Sequence, residues 1–294
     1  MSWIALDWGT SSLRGVRLGE DGTALEERAF SRGILTVPKG GFAAVFDELF
    51  GDWMAPVGTR CLISGMAGSQ QGWIEAPYCA CPANLDDVAA KLAWVEAGRI
   101  AIVPGLSCER GGVPDVMRGE ETQVFGALRL LGVNDGLFVL PGTHSKWVRV
   151  ANGRIETFAT LMTGEFYALL RQHSILARTL PTDDAALHDD AFDAGVVHAL
   201  RSPGLLEAAF SVRTLSLFER LPIEQRPSYL SGLVIGEELR TRALKGGEEV
   251  VVIGAEALTR RYARALAHCD VRVHPVGGQA TWNGLRAIAA RIPS

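Results

Sequence analysis

No apolar run in the 294 residues approaches the roughly 20 that a bilayer-crossing helix needs. The chain passes directly into apolar Trp3-Ile4-Ala5-Leu6, with no basic segment ahead of it, so no secretory signal and a cytoplasmic location are expected. Positive charge is not in excess. Lys and Arg number 29 against 33 Asp and Glu, and the net charge of −4 argues against nucleic acid as a partner. Cysteine is sparse and odd in number: Cys61, Cys79, Cys81, Cys108 and Cys269 read as reduced thiols. The Cys79-Ala80-Cys81 spacing does not suit a zinc knuckle, and no second pair follows it.

What is present is an ordinary globular composition, 48% hydrophobic and 21% charged, with a length that suggests about two domains. The N-terminal stretch has the most character. Apolar residues 3–6 predict a buried strand, Asp7 ends it, and Gly9, Thr10, Ser11 and Ser12 form a turn of small and hydroxyl side chains. Leu13, Gly15, Val16 and Leu18 then alternate with Arg14 and Arg17, the period of a half-buried strand. Gly9 lets the backbone N–H groups of such a turn approach phosphate oxygens, and Asp7 can reach phosphate only through a cation such as Mg²⁺. A similar order returns about 130 residues later. An apolar strand at 137–140 ends in Pro141-Gly142-Thr143-His144-Ser145-Lys146, a strand follows from Trp147, Asn152-Gly153 signals a tight turn, and residues 155–161 return. Two phosphate-type hairpins suggest two similar halves closing on one ligand.

Between and after them the periodicity predicts a strand at 27–37, a helix at 41–53, a strand at 60–64, a helix at 85–95 and a strand at 100–104. Ser64, Gly65, Met66, Ala67, Gly68 and Ser69 follow a strand end, where α/β sheets bind ligands. Glu120 and Glu121 open a helix that runs to the C-cap Gly132. The helix dipole favours carboxylates there, and one of the pair facing a cleft would be a general base. Helices are expected at 165–172, 184–200, 203–219 and 226–244, strands at 249–253 and 271–273, and a last helix from Gln279 to Ile292. Gly254 and Ala255 lie between a strand and a helix, where an adenosine can approach the backbone.

Asp7-Trp8-Gly9-Thr10-Ser11 resembles the first phosphate motif of the actin–hexokinase ATPase superfamily, Gly142-Thr143-His144-Ser145 the second, and Val251-Val252-Ile253-Gly254-Ala255 the adenosine motif. Together with Ser64 to Ser69, Val113 to Gln123 and Met162-Thr163-Gly164-Glu165-Phe166, they run in the order of the 2-dehydro-3-deoxygalactonokinase family over essentially the whole chain. The resemblance implies an actin-like ATPase fold of two ribonuclease-H-like α/β domains with an interdomain cleft. The domains are expected at 1–133 and 134–280, with the final helix 281–294 packing back on the first. It implies ATP-dependent phosphorylation of the 6-hydroxyl of 2-dehydro-3-deoxy-D-galactonate in galactonate breakdown; a kinase for another sugar or sugar acid, or an exopolyphosphatase-like phosphohydrolase, is the alternative.

By the same resemblance the cofactors are ATP and Mg²⁺, and the partners are a small sugar acid and no membrane, in a monomer or homodimer. Asp7 holds the metal. Gly9, Thr10, Ser11, Gly142, Thr143, Ser145 and Lys146 hold phosphate, with Lys146 or Arg14 on the equatorial oxygens, and Gly254 and Ala255 hold adenosine. Pro141 stands where many relatives carry an Asp, and Arg118-Gly119-Glu120-Glu121 resembles the glutamate segment of exopolyphosphatases. The base is therefore Glu121, ahead of Glu120 and Asp115. The carboxylate of the substrate calls for a forked donor, Arg110 or Arg118, beside the loop Ser64, Gly65, Met66, Ala67 and Gly68.

Overall fold

The computed structural model describes residues 3–19, 22–183 and 186–292. In chain order the elements are β1 (Trp3–Trp8), β2 (Leu13–Leu18), β3 (Ala24–Phe30), α1 (Phe42–Met54), β4 (Arg60–Gly65), β5 (Cys79–Ala80), α2 (Leu85–Ala89), β6 (Ala93–Glu96), β7 (Ile100–Ile102), β8 (Leu106–Arg110), β9 (Val113–Met117) and α3 (Glu120–Leu131). They continue as β10 (Gly136–Leu140), β11 (Ser145–Ala151), β12 (Arg154–Leu161), α4 (Thr163–His173), α5 (Asp189–Arg201), α6 (Leu205–Ala208), α7 (Ser211–Leu217), α8 (Arg226–Arg240), β13 (Glu249–Ile253), α9 (Glu256–Ala267), β14 (Arg272–Val276) and α10 (Gln279–Ala289). Two compact units divide the chain: one of Met1–Gly136, Val148–Ala159 and Gly278–Ser294, the other of Leu137–Trp147 and Thr160–Gly277.

In the first unit one sheet runs β3-β2-β1-β4-β7-β6. β2 is antiparallel to β1 and to β3, β1 and β4 are parallel, and β4 and β7 are parallel. Ile4, Leu6 and Trp8 alternate onto a core shared with Phe42, Phe46 and Phe50 of α1, and Trp8 meets Phe42 edge-to-face at 5.4 Å. α10 packs on α3 at backbone distance. A Cβ on Gly126 would lie 1.8 Å from the Ala280 carbonyl oxygen, and one on Gly284 would lie 1.9 Å from that of Thr122, so only glycine fits at either place.

The second sheet runs β12-β11-β10-β13-β14, and β10, β13 and β14 are mutually parallel. Its order repeats β3-β2-β1-β4-β7 strand for strand, which is the physical content of the repeated hairpin pattern in the sequence. In the second unit α5 crosses α8 on glycines: Cβ atoms on Gly195 and Gly232 would lie 2.2 and 2.1 Å from the carbonyl oxygens of Tyr229 and Phe192. Among the described residues no helix is long and apolar enough to cross a membrane.

Several local expectations need correction. The strand expected at 27–37 is β3 followed by a short 3-10 turn, Ile34–Thr36, after Gly33. The helix expected at 85–95 stops at Ala89, and Ala93–Glu96 is an edge strand antiparallel to β7. The helix expected at 203–219 is two short pieces, α6 and α7. The helix expected from Asp184 begins at Asp189; Asp184 lies outside the described residues, as do the terminal residues 1, 2, 293 and 294 that bound the expected domains. The β5-β8-β9 sheet was not foreseen. Pro114 and the charges Glu109, Arg110 and Asp115 mask the β8–β9 hairpin in the sequence.

Candidate active site

The strand order puts the chain's polar turns at the carboxyl ends of parallel strands, where α/β sheets place ligands. In the first unit Asp7 is the next-to-last residue of β1, in register with Arg14 on one side and Ser64 on the other. Arg14 Nη2 donates to Asp7 Oδ2 at 2.5 Å. The Arg14 guanidinium lies 5.8 Å from the Trp282 ring, so α10 helps to hold it. The turn beyond is tied by Gly9 N to Ser12 O at 2.9 Å and braced from outside by Ile34 N to Gly9 O at 3.0 Å. Thr10, Ser11 and Ser12 are exposed and Gly9 is half-buried, so the hydroxyls of this turn and the amides of Thr10 and Ser11 face outward, while the Gly9 amide is taken by Ser12 O.

The end of β4 and the start of α3 close on the same place. Gly65 and Gly119 adopt positive φ, 95° and 103°, and a Cβ on Gly119 would come within 3.3 Å of Gly65 Cα. Ser64 Oγ donates to Thr122 Oγ1 at 3.0 Å, Thr122 Oγ1 to Glu121 Oε1 at 3.1 Å, and Gly119 N to Glu121 Oε2 at 2.7 Å. Glu121 has no exposed surface. Burial, with the neighbouring Glu120 charge second, pushes its carboxyl up to about 8. Glu120 turns back, and its Oε2 accepts from Arg118 N at 2.9 Å in the turn ahead of the helix. Asp115, on β9, accepts from Val116 N.

The loop after β4, where a ligand is expected, is more closed than its sequence implies. Ser64, Gly65, Ala67 and Gly68 are buried and Met66 is half-buried. Trp73 N donates to Ala67 O at 2.7 Å and Ala76 N to Gly68 O at 2.9 Å, so the loop's backbone is largely satisfied internally; Gln70 and Gln71 are its exposed tip. The two arginines are separated in role. Arg110 sits exposed at the tip of the β8–β9 hairpin. Arg118 stacks on Tyr78 at 4.5 Å and donates Nη2 to Ala76 O at 2.7 Å, while its Nε and Nη1, and Ser69 Oγ, are buried without a hydrogen-bond partner. Of the two arginines, Arg118 has two buried donors left unmet, and Arg110 is exposed.

In the second unit the turn after β10 exposes Thr143 and His144 and leaves Gly142 half-buried. The first turn of α4 rests against it. A Cβ on Gly164 would lie 2.5 Å from Gly142 O, Glu165 N donates to Thr143 O at 3.1 Å, and His144 Nε2 pairs with Glu165 Oε2 at 2.6 Å. Two expectations change here. Ser145 is fully buried, and its hydroxyl donates inward to Glu238 Oε1 at 2.9 Å, so it supports the turn from behind. Lys146, expected at the phosphate, is 5% exposed and folds back with Nζ 3.3 Å from His144 O. Gly254 and Ala255 follow β13 beside Pro141, and a small pocket lined by Gly142, Gly164, Ser231, Leu258, Arg261 and Tyr262 opens alongside. The sequence reading missed Glu238 altogether. Glu238 is one of two adjacent glutamates near the end of α8, and nothing in the chain marks it until the fold brings its partners to it.

The sequence profile of the 2-keto-3-deoxy-galactonokinase family matches residues 7–288. A probable 2-dehydro-3-deoxygalactonokinase of Rhizobium meliloti (strain 1021) is 38% identical over 297 residues, covering 99% of this chain and 97% of that one. The 2-dehydro-3-deoxygalactonokinase of Escherichia coli (strain K12) is 36% identical over 293 residues, covering 99% and 98%. A crystal structure of a provisionally named 2-dehydro-3-deoxygalactonokinase protein from Sinorhizobium meliloti superposes with a TM-score of 0.91 at 36% identity, over 98% of each chain. The activator of 2-hydroxyisocaproyl-CoA dehydratase from Clostridium difficile with bound ADPNP superposes at a TM-score of 0.51 and 14% identity, over 99% and 96% of the two chains, a likeness of fold alone. The fold is that of the actin-like ATPases.

Proposed function

The chain belongs to the 2-keto-3-deoxy-galactonokinase family, and from that premise we propose that it transfers the γ-phosphoryl group of ATP to the 6-hydroxyl of 2-dehydro-3-deoxy-D-galactonate, in the cytoplasm, as a step of galactonate breakdown. The observation that carries the site assignment is the convergence of Asp7, Arg14, Ser64, Thr122 and Glu121 where β1, β4 and α3 meet.

Asp7 would hold Mg²⁺. A single partly exposed carboxylate at a strand end suits that ion, which keeps most of its waters and takes its other ligands from phosphate; among the described residues no cluster of three acidic, His or Cys side chains forms an all-protein cage. The ion supplies charge neutralisation at the transferring phosphoryl group. Arg14 balances Asp7 and is placed to move onto a phosphate oxygen. The amides and hydroxyls of the exposed Thr10 and Ser11 bind phosphate in the first unit, with Gly9 closing the turn behind them, and exposed Thr143 with half-buried Gly142 does so in the second. Gly254 and Ala255 border the adenosine, with the pocket beside Arg261 for its base.

Glu121 takes the proton from the 6-hydroxyl. Its carboxyl, pushed up to about 8, is basic enough for that task at neutral pH. Its full burial means that the loop after β4 or the first turn of α3 must part to admit the sugar. Arg118 pairs its unmet Nε and Nη1 with the substrate carboxylate. A screen of ATP turnover against 2-dehydro-3-deoxy-galactonate, 2-dehydro-3-deoxy-gluconate and neutral hexoses tests the assignment. Turnover confined to the sugar acids, fastest with the galactonate, is expected; preference for a hexose would overturn it.

A further inference from the structure

A buried carboxylate that the sequence did not point to sits in the second unit. Glu238, on α8, is 2% exposed. Its Oε1 accepts from Ser145 Oγ at 2.9 Å and Trp147 Nε1 at 2.5 Å; its Oε2 accepts from Tyr262 Oη at 2.8 Å and from Thr163 Oγ1. Four donors on two oxygens fill the acceptor positions of the carboxylate. Burial and the Glu238 charge hold the Tyr262 hydroxyl well above its usual range, so it stays a donor.

The donors come from separate elements. Ser145 and Trp147 open β11 just behind the Gly142–Thr143 turn, Thr163 begins α4, and Tyr262 is on α9, the helix that follows Gly254 and Ala255. The first turn of α4 is itself locked to the hairpin through Glu165 and through the close approach of Gly164 to Gly142. Placing an ion in a dry interior is costly, and apolar residues of similar volume often stabilise such a site at least as well. A carboxylate kept here, with every acceptor position filled, fits the fixing of geometry better than the raising of stability.

We propose that Glu238 is the positioning residue of the second hairpin: it sets the spacing of the Gly142–Thr143 turn, the start of α4 and the helix α9, and so acts on the nucleotide without touching it. This rests on the nucleotide role proposed for that turn. It predicts a split that a purely structural residue would not give. Loss of the acceptor charge impairs the handling of ATP and leaves the sugar acid alone, whose fork and base are residues of the first unit.

The test measures binding of a non-hydrolysable ATP analogue with Mg²⁺ by calorimetry, together with steady-state kinetics varying each substrate. Glu238→Gln retains the volume and puts an N–H donor where an acceptor is required. It is expected to weaken the analogue and raise KM for ATP on the order of tenfold or more, with KM for the sugar acid within about twofold of wild type. Equal analogue affinity in the two proteins, or KM rising equally for both substrates, overturns the proposal. Should Glu238→Gln not fold, the pair Thr163→Ser and Thr163→Val asks the same question. Ser keeps the donor and should retain ATP affinity; Val loses it and should not, and equal behaviour of the pair overturns the proposal. A wild-type protein that binds no analogue overturns the nucleotide reading itself, and does so before any substitution is made.

Discussion

At the scale of the residue, Asp7 and Glu121, the two carboxylates proposed to carry the chemistry, differ in what surrounds them. Asp7 is partly exposed and paired with Arg14. Asp7→Asn keeps the shape and removes the charge, so kcat should fall by several powers of ten while the melting temperature changes little; normal turnover by a folded Asp7→Asn would remove Asp7 from the site. Glu121 is buried, and its carboxyl titrates near 8 in the fold against 4.5 for an ordinary glutamate. Between those values the folded state keeps a proton that the unfolded chain has released. Stability should therefore fall as pH rises from about 4.5 to about 8, and be level on either side.

The rate has the opposite slope. A base must be ionised, so kcat/KM should climb through about 8. Glu121→Gln should flatten both profiles, lose about 10² to 10⁴ in kcat and leave ATP affinity near wild type. Glu120→Gln, which keeps an acceptor for Arg118 N and loses only a charge in the first helical turn, should stay near wild-type rate and lose about a few tenths of a kcal/mol in stability. Denaturation and kinetics across pH on the two variants check this, and a wild-type pH–rate profile flat from 6 to about 9 would move the base elsewhere. At this scale the sequence was legible where motifs are local, as in Asp7 to Ser11. It was misleading where a side chain's direction depends on a distant partner: nothing near Ser145 in the chain says that its hydroxyl faces Glu238.

At the scale of the element, the amphipathic helices and buried strands were readable because their periodicity reports the face they bury. α1, α3, α9 and β1 lie close to where the apolar spacing put them. The misreadings have a common cause. The segment 85–95 has enough apolar residues for a helix, but it meets the free edge of β7, and pairing at that edge draws 93–96 into a strand. The glycines of α5 and α8 look like helix weaknesses in sequence and are contact points in the fold. Gly232→Ala would place a methyl group 2.1 Å from the Phe192 carbonyl oxygen, which backbone cannot yield without separating the helices. The loss should be on the order of 3 kcal/mol in chemical denaturation. Gly247→Ala is a poor control because of its positive φ, whereas Gly142→Ala, with nothing near its Cβ, should leave stability nearly unchanged.

At the scale of the whole molecule, the repeated hairpin was the most informative feature of the sequence. Its counterpart is the shared strand order of the two sheets, a relation that local propensity alone does not contain. The membership of each unit was less legible. Strands β11 and β12 pass from one unit to the other part-way along their length, and no composition shift marks the place.

The central claim is sugar-acid kinase activity, and it is tested most directly by identifying the product. The purified chain is incubated with ATP, Mg²⁺ and 2-dehydro-3-deoxy-D-galactonate, ADP release is followed, and the phosphorylated carbon is located by phosphorus–proton correlation NMR. The account predicts ADP in equal amount to a single phosphorylated acid, with the phosphate on carbon 6. Release of inorganic phosphate without a phosphorylated acid, or phosphate on another carbon, would contradict it.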